Sequence, residues 1–517
     1  MASAASPKSP AYFGSRRRLL RSKLFSLFAV IAVFSFTLLV FIGLHTAIWD
    51  AVIRTRTLVG HNLDPTPWHR FPHPNSHTPV LAVFRCTYLS CPPLRRRRPN
   101  PNLHPFLASE FSETPSSCPS FFSSIHRDLA PWRRSRISAS LVAEAAARHA
   151  AMRVIVSGGG TRLFVDLYYA CVQSRALFTV WGILQLMRRY PGMIPDVDLV
   201  FDCMDRPAIN RSDYGEGMTP PPPPLFRYCT TKEHWDIPFP DWSFWGWPEI
   251  NIKPWAEEFR SIKLGAQAVK WKRKTKTAYW KGNPDVDSPI RMALLSCNDS
   301  KKWGAQIIRQ NWVEESSSGF QNSNLSSQCN HRYKIYAEGF AWSVSLKYIL
   351  SCGSLAFIVD PQYEDFFSRG LIPKHNYWPI NSTNLCQSIK SAVDWGNEHP
   401  SEAEAIGKRG QTLMQDLNMD QVYEYMYHLI MEYSKLQDFK PNPPSTAQEV
   451  CVDSLLCVAN SKQRQFLERS YASPSPTKPC TLPPTSNDCR KKSMAGQQKI
   501  SSGMQDMQTR FHDEFFG

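Results

Sequence analysis

The chain has 517 residues, 42% of them hydrophobic and 20% charged, which is enough apolar material for a large core in about two or three domains. This composition excludes a disordered chain and a small disulfide scaffold. The formal net charge of +16 would suit nucleic acid or an anionic surface, but six basic residues with no acid lie within 1–23. The 14 cysteines include no C-x-x-C pair, which argues against zinc ribbons and thioredoxin-like modules.

Residues 24–44 form an uncharged, largely apolar run. As a helix rising about 1.5 Å per residue, the run would cross the roughly 30 Å hydrocarbon core of a bilayer. The alternative is a cleaved signal peptide, whose apolar region is typically about 7–15 residues and ends at a small-residue cleavage site. Because the basic tail 1–23 precedes the run, the positive-inside rule predicts a cytosolic tail, a single-pass type II membrane anchor and a lumenal remainder.

This topology would place every cysteine in an oxidising lumen, where disulfides form. Four sequons also lie on that side, and we take their asparagines as N-glycosylation candidates: Asn210, Asn298, Asn324 and Asn381. The C-terminal sequence HDEFFG is not a K-D-E-L-like retrieval signal, so we expect the Golgi membrane rather than the endoplasmic reticulum. A lumenal protein is separated from the nucleus, so no nucleic-acid partner is expected.

The composition divides the lumenal part into three regions. Residues 45–117 are rich in Pro, Ser and Arg and predict an irregular stem, and 438–517 predict a mostly irregular C-terminal tail. Between them, 118–437 alternate helix-like and strand-like patterns, which indicates an α/β catalytic region. The periodicity predicts helices at 174–190, 290–295 and 342–351 and strands at 197–202, 277–280, 332–337 and 354–360.

Three residues follow predicted strands: Asp205, Gly282 and Gly339. If the strands are parallel, their carboxyl ends share one edge of the sheet, which is where ligands bind in such folds. A partly desolvated carboxylate there can act as a general base, which makes Asp205 a candidate. Asp202 competes with it, and either side chain is equally suited to capping the following turn.

The segment 338–343 lies where a strand passes into a helix, so its backbone N–H groups could point at a diphosphate, with Gly339 permitting close approach. The basic residues Arg291 and Lys347 near such loops would neutralise a leaving pyrophosphate. The alternatives are an ordinary helix entry and solvated basic side chains. The aromatic segment 239–247 suits either the C–H face of a sugar or core packing.

Two short patterns resemble ligand-binding motifs. Asp-x-Asp occurs at 196–198 and 285–287 and matches a divalent-metal motif, but a pattern this short recurs by chance. The segment 157–161 follows a strand-like run and resembles a phosphate loop, yet it lacks the complete glycine signature. We predict a hairpin turn there instead.

Several blocks of the sequence resemble glycosyltransferase family 90, the lipopolysaccharide-modifying and Rumi-type O-glucosyltransferase family, and most closely its plant members with an N-terminal anchor. The blocks are CP at 118, IHRDL at 125, PW at 131, FDCMDRP at 201, WSFWG at 242, YWKGNP at 279, YKIYAEGFAWSVS at 333 and FFSRGLIP at 366. The resemblance implies a GT-B fold of two Rossmann-like domains, a UDP-sugar donor, and metal-independent transfer to a hydroxyl with no cofactor.

The resemblance also implies roles for individual residues. Asp205 matches the family's general base, which deprotonates the acceptor hydroxyl. The matches to donor-binding positions are Gly282 and Arg291 at the diphosphate, Gly339, Ala341, Ser343 and Lys347 around the UDP, and Ser243 and Trp245 in the aromatic wall near the sugar. Positive charge from Arg291 and Lys347 would replace a metal ion.

Leu346 departs from the family pattern, since plant relatives often carry an acid at this position. Because of this departure, the resemblance does not decide which sugar the donor carries. We predict an inverting UDP-sugar-dependent O-glycosyltransferase that transfers glucose or xylose to a glycoprotein or cell-wall polysaccharide. The first alternative is a non-catalytic lumenal carbohydrate-binding or scaffold protein that kept the fold. The second is a metal-dependent transferase that uses Asp285 and Asp287.

Overall fold

Helices and strands alternate along the computed structural model, which describes residues 84, 86, 90–94, 116–215 and 220–484. The helices are α1 (Ser124–Asp128), α2 (Trp132–Ser135), α3 (Ala139–His149), α4 (Arg175–Arg189), α5 (Trp255–Ala268), α6 (Pro289–Leu295), α7 (Trp312–Ser317), α8 (Ser345–Ser351), α9 (Leu385–Glu398), α10 (Pro400–Asp416), α11 (Met419–Ser434), α12 (Val452–Val458) and α13 (Ser461–Arg469). The strands are β1 (Met152–Ser157), β2 (Arg162–Leu167), β3 (Val197–Phe201), β4 (Phe226–Arg227), β5 (Ile237–Pro238), β6 (Thr275–Gly282), β7 (Ala305–Arg309), β8 (His331–Tyr336), β9 (Leu355–Val359), β10 (Trp378–Ile380) and β11 (Gln448–Val450).

The C-terminal sheet is wholly parallel, with strand order β7-β6-β8-β9-β10. The chain passes from β6 outward to β7 and then crosses back to β8 on the other side, so the strand order reverses between β6 and β8. Both faces of this sheet are covered, because Leu355 and Phe357 of β9 belong to one apolar cluster and Ala356 and Ile358 to another. A strand buried on both faces explains the continuous apolar run in its sequence.

The N-terminal sheet is mixed, with strand order β11-β2-β1-β3-β4-β5. Strands β1 and β2 form an antiparallel hairpin, which confirms the turn predicted at 157–161. Its three glycines, Gly158, Gly159 and Gly160, all have positive φ, a conformation that side chains disfavour. Only the neighbouring pairs β3–β4 and β4–β5 are parallel, so this half is not the fully parallel sheet that two identical Rossmann-like domains would give.

The predicted elements of the central region are confirmed with shifted boundaries. Helices α4 and α6 and strands β3, β6, β8 and β9 all lie where periodicity placed them. The helix predicted over 342–351 begins only at Ser345, because the preceding residues form a loop. The chain is therefore of the α/β class. The predicted tail 1–23 and anchor 24–44 lie outside the described residues, and within the described part no helix is long and apolar enough to cross a membrane.

The described end of the chain, as far as residue 484, contains three regular elements within the tail predicted as mostly irregular. Strand β11 pairs with β2, and helices α12 and α13 follow it. Two disulfides join this segment to Cys86 and Cys91, which lie in the predicted stem, so the stem is covalently linked to the folded region at these two cysteines. The described disulfides are Cys86–Cys457, Cys91–Cys451, Cys118–Cys480, Cys171–Cys203, Cys297–Cys386 and Cys329–Cys352. The proline-rich composition did not predict these elements, because disulfides and strand pairing hold the segment in place rather than periodic apolar residues.

A buried lysine makes the stability of the C-terminal half depend on pH. Lys334 on β8 is 5% exposed, and its Nζ donates to Gln328 Oε1 at 3.3 Å. Burial, with some repulsion from Lys274, lowers the pKa of Lys334 from 10.5 to about 7. Between these values the unfolded chain binds the proton and the folded chain does not, so the free energy of unfolding rises with pH.

We predict that Lys334→Met makes this rise smaller, because the variant lacks the amine of Lys334. The buried Lys274, whose pKa burial lowers to about 8, keeps part of the rise. The measurement is urea unfolding of the purified full chain at pH 6.5 and pH 9.5. Lys408→Met, which removes an exposed lysine paired with Glu404, is the matched control and should keep the wild-type pH dependence. An equal rise in wild type and Lys334→Met would contradict the prediction.

Candidate active site

The loop after β3 is anchored by a buried charge network. Arg227 at the end of β4 pairs with Asp202 and, at 3.2 Å from its Nε, with Asp236, and all three side chains are at most 2% exposed. Asp202 also accepts hydrogen bonds from Tyr169 Oη and, at 3.1 Å, from the backbone N–H of Met204. Asp202 is therefore structural, which removes it as the competitor of Asp205.

Asp205 is the more accessible carboxylate of this loop, with its side chain 20% exposed. One of its oxygens accepts a hydrogen bond from Arg175 Nη1 at 2.5 Å. Arg175 also donates to Cys203 O at 3.0 Å, and its guanidinium lies 4.2 Å from the ring centroid of Trp242. The Cys171–Cys203 disulfide fixes the start of the loop. Asp205 is thus held in one position while part of it stays open to solvent.

Two contacts bring the strand ends of the two sheets together. Arg206 donates from Nε to Phe340 O at 3.0 Å and stacks on the Phe340 ring at 3.6 Å. Thr230 and Glu364 exchange two backbone hydrogen bonds of 2.9 Å. The loop that carries Asp205 therefore lies against the loop after β8, at the point where the strand order reverses, which is a typical ligand site in α/β sheets. We call the region between these two loops the cleft.

The predicted diphosphate residues Gly282, Arg291 and Gly339 come together on the other side of this cleft. Arg291 Nη1 donates to Asn283 O at 2.9 Å, and its Nη2 donates to Ala337 O at 3.2 Å. A Cβ on Gly339 would lie only 3.2 Å from Arg291 Nη2, so glycine allows the backbone to pass beside the guanidinium. Burial lowers the pKa of Arg291 below its ordinary value.

Glu338, which sequence reasoning gave no role, is the buried acid of this cluster. Its carboxylate accepts from the backbone N–H groups of Gln362 and Tyr363 at 3.0 and 2.9 Å, which ties the loop after β8 to the loop after β9. Burial raises the pKa of Glu338 from 4.5 to about 7. Its place directly before Gly339 in the predicted loop was the signal that could have identified it.

The predicted backbone cradle for the diphosphate is partly used within the protein. The N–H of Gly339 donates to the buried Ala341 at its carbonyl oxygen, at 2.9 Å. The N–H of Ser343 donates to Tyr336 Oη at 3.0 Å, and the Ser343 hydroxyl lies 2.9 Å from that of Ser345. These two N–H groups therefore support the loop rather than pointing freely into the cleft.

Lys347, Ser243 and Trp245 lie in the core, which corrects their expected contact with the donor. Lys347 Nζ is 1% exposed and pairs with Asp241 at 3.1 Å, and the Ser243 hydroxyl also donates to Asp241. Trp245 is fully buried and fills the space beside Gly182, where a Cβ would lie 2.5 Å from its ring. Residues 239–246 of the aromatic segment are buried, and Trp245 packs against helix α4 at Gly182, so this part of the segment is core packing.

The two Asp-x-Asp patterns have separate structural partners. Asp196 accepts from the N–H groups of Gly159 and Gly160 at 2.7 and 3.1 Å and so closes the β1–β2 turn. Asp285 pairs with Arg309 at 2.7 Å, and Asp287 lies 3.6 Å from Arg206. Across the described residues, one set of three side chains has metal-ligand spacing, Cys118, His428 and Cys480, and its cysteines are joined in a disulfide.

All four predicted N-glycosylation asparagines are exposed. In each case the side-chain oxygen accepts a backbone hydrogen bond: Asn210 from Ser212, Asn298 from Ile307, Asn324 from Ser326 and Asn381 from Thr383. The amide nitrogens are thus the atoms left for attachment of a glycan.

The fold and the cleft define an α/β protein with a candidate ligand site at the switch point of a parallel sheet, a class that includes many nucleotide-binding enzymes. The sequence profile of glycosyl transferase family 90 matches residues 113–508. The chain therefore belongs to glycosyl transferase family 90, which confirms the resemblance and makes it a glycosyltransferase.

Individual relatives agree with this membership. The chain is 28% identical to an O-glucosyltransferase rumi homolog of Aedes aegypti over 269 residues, which is 50% of this chain and 66% of that protein. It is 25% identical to O-glucosyltransferase rumi of Drosophila melanogaster over 342 residues, 63% of this chain and 80% of the relative. Protein O-glucosyltransferase 1 of Homo sapiens is 26% identical over 336 residues, 62% of this chain and 82% of the relative.

The charge network predicts a large loss of stability on substitution of Arg227. In Arg227→Gln, Asp202 and Asp236 would remain buried without their cation, which costs about 3–5 kcal/mol. Denaturant unfolding of the purified full chain measures the loss. The control Arg309→Gln breaks an exposed pair with Asp285 and should cost less than about 1 kcal/mol. Similar losses for the two variants would show that the network does not anchor the loop.

Proposed function

We propose that this chain is an inverting, UDP-sugar-dependent O-glycosyltransferase of the secretory pathway with Asp205 as general base. The observation that carries the proposal is the position of Asp205, a fixed and partly exposed carboxylate that faces the Gly339 loop across the cleft. The switch point between β6 and β8 suits the nucleotide part of a donor. We also propose that the two sheets correspond to the two domains of a GT-B fold.

In the proposed reaction, the oxygen of an acceptor hydroxyl attacks the anomeric carbon of the donor sugar. The new glycosidic bond forms as the bond to the diphosphate oxygen breaks, and the hydroxyl proton passes to the Asp205 carboxylate. A single displacement inverts the anomeric configuration. The leaving UDP carries the negative charge, which Arg291 and the half-exposed Arg206 would stabilise from the two sides of the cleft.

The names of the relatives favour glucose as the transferred sugar and protein as the acceptor, since they are called protein O-glucosyltransferases. Xylose stays in the proposal as the other donor sugar because Leu346 departs from the family pattern. A cell-wall polysaccharide stays in the proposal as the other acceptor class. We expect no cofactor and no metal. The disulfides suit a lumenal location, and we propose Golgi residence through a type II anchor.

We predict that Asp205→Asn binds donor but transfers sugar about 10²–10⁴-fold more slowly, because the amide cannot take the proton. The purified full chain would be tested against a panel of UDP-sugars that includes UDP-glucose and UDP-xylose. Donor binding is read from the thermal shift and turnover from released UDP, each with and without chelator.

Asp285→Asn is the matched control and should keep wild-type turnover. Wild-type turnover by Asp205→Asn would remove the base assignment, and loss of turnover in chelator together with an inactive Asp285→Asn would instead support a metal-dependent reaction. No shift with any UDP-sugar would exclude this donor class.

The lumenal topology predicts N-glycans on the chain after expression in a eukaryotic secretory pathway. Peptide-N-glycosidase treatment should increase the mobility of the chain in electrophoresis, because up to four exposed sequons can be modified. A quadruple Asn→Gln variant at Asn210, Asn298, Asn324 and Asn381 should run at the position of the treated wild type. If peptide-N-glycosidase leaves the mobility of the wild-type chain unchanged, the lumenal assignment is wrong.

A further inference from the structure

A pocket of about 140 Å³, here called the Arg211 pocket, opens beside the segment 230–236. Helix α1 and the segment 364–369 contribute its other walls, and neither Asp205 nor any residue of the Arg291 cluster lines it. None of its lining residues was selected from the sequence as a site residue. The pocket is therefore separate from the cleft that we assign to sugar transfer.

Three polar atoms of the pocket lining are buried without a hydrogen-bond partner: Thr230 Oγ1, Trp235 Nε1 and Arg369 Nη2. Thr230 is 5% exposed, and the Arg369 side chain is 6% exposed. The indole and guanidinium groups only donate hydrogen bonds, and the hydroxyl can donate as well. A buried donor left unsatisfied costs about 1–3 kcal/mol, so three such atoms point to a ligand that carries acceptor atoms.

The pocket also holds a cation that forms no salt bridge with a described carboxylate. Arg211 donates from Nε to His234 O at 3.0 Å and stacks on Trp235 at 3.7 Å, but it forms no salt bridge with any described residue. Burial lowers the pKa of Arg211 below its ordinary value, and the nearby Arg127 lowers it further by repulsion, although the more distant carboxylates of Glu233, Asp128 and Glu364 act in the opposite direction. Lys232 at the exposed rim adds a second cation that has no salt bridge within the described part of the chain.

The acids that line the pocket are already paired with other arginines. Asp128 pairs with Arg369, and Glu364 pairs with Arg127 at 2.9 Å and with Arg369 at 3.1 Å. Asp236 is held by Arg227 and accepts from the N–H groups of Ala208 and Ile209. None of these carboxylates forms a salt bridge with Arg211.

We propose that the Arg211 pocket is an oxyanion-binding site that takes a carboxylate, sulfate or phosphate group. The guanidinium of Arg211 supplies the charge, and Thr230, Trp235 and Arg369 donate hydrogen bonds to the oxygens. The group belongs either to a free inorganic anion or to an acidic sugar, since both present the same oxygens. The site stands independently of the sugar-transfer reaction.

Isothermal titration of the purified full chain tests the proposal, with sulfate, phosphate and D-glucuronate as ligands at constant ionic strength in chloride. D-glucose is the matched uncharged ligand and should not bind. Arg211→Gln should weaken binding of the oxyanion about tenfold or more, and Thr230→Val should weaken it by removing one donor without changing shape. Arg464→Gln, which removes an exposed arginine paired with Glu468, should bind like the wild type.

Thermal melts of each variant establish that it is folded. If Arg211→Gln does not fold, the loss of binding is measured with Thr230→Val alone. Tighter binding of glucuronate than of sulfate and phosphate would identify an acidic sugar as the occupant, and the reverse order would identify an inorganic anion. The proposal is overturned if no oxyanion binds saturably to the wild type or if both variants bind as the wild type does.

Discussion

The buried pairing of Arg227 with Asp202 and Asp236 is the constraint on which the candidate site depends. These residues lie at the ends of β3 and β4 and directly before β5, so one guanidinium joins three parallel strands of the N-terminal sheet. Desolvation makes such pairs poor evidence of stability, but their strict geometry fixes the backbone between them. The segment that carries Asp205 is held from both sides, by this network and by the Cys171–Cys203 disulfide.

The two sheets form one cleft because their strand ends are linked directly. The contact of Arg206 with Phe340 and the backbone pairing of Thr230 with Glu364 bring a carboxylate from one sheet opposite the Arg291 cluster of the other. The proposed base and the proposed stabiliser of the leaving group therefore come from different halves of the chain. An exposed acid and a buried cation are suited to these roles, since the acid must exchange a proton and the cation must stay fixed.

Order in the described residues after 437 comes from long-range links. Strand β11 extends the N-terminal sheet beside β2, and the Cys91–Cys451 and Cys86–Cys457 disulfides connect the same segment to residues some 360 positions earlier. Links of this length restrict the unfolded chain strongly in the loop-entropy account. They also explain why a proline-rich sequence with few periodic apolar residues can still be held in place.

The sequence by itself determined the α/β class, the glycine hairpin turn, the main helices and strands of the central region and the family, because apolar periodicity and ordered motif blocks are local properties. It also selected Asp205, Gly282, Arg291 and Gly339 as candidates, and the fold brings the loops that carry them together. Only the tertiary structure decided that Lys347, Ser243 and Trp245 are core residues, that Asp202 is an ion-pair partner, and that Arg211 lines a separate pocket. A basic or polar side chain looks the same in sequence whether it faces a ligand or a buried partner, since burial depends on elements far away in the chain.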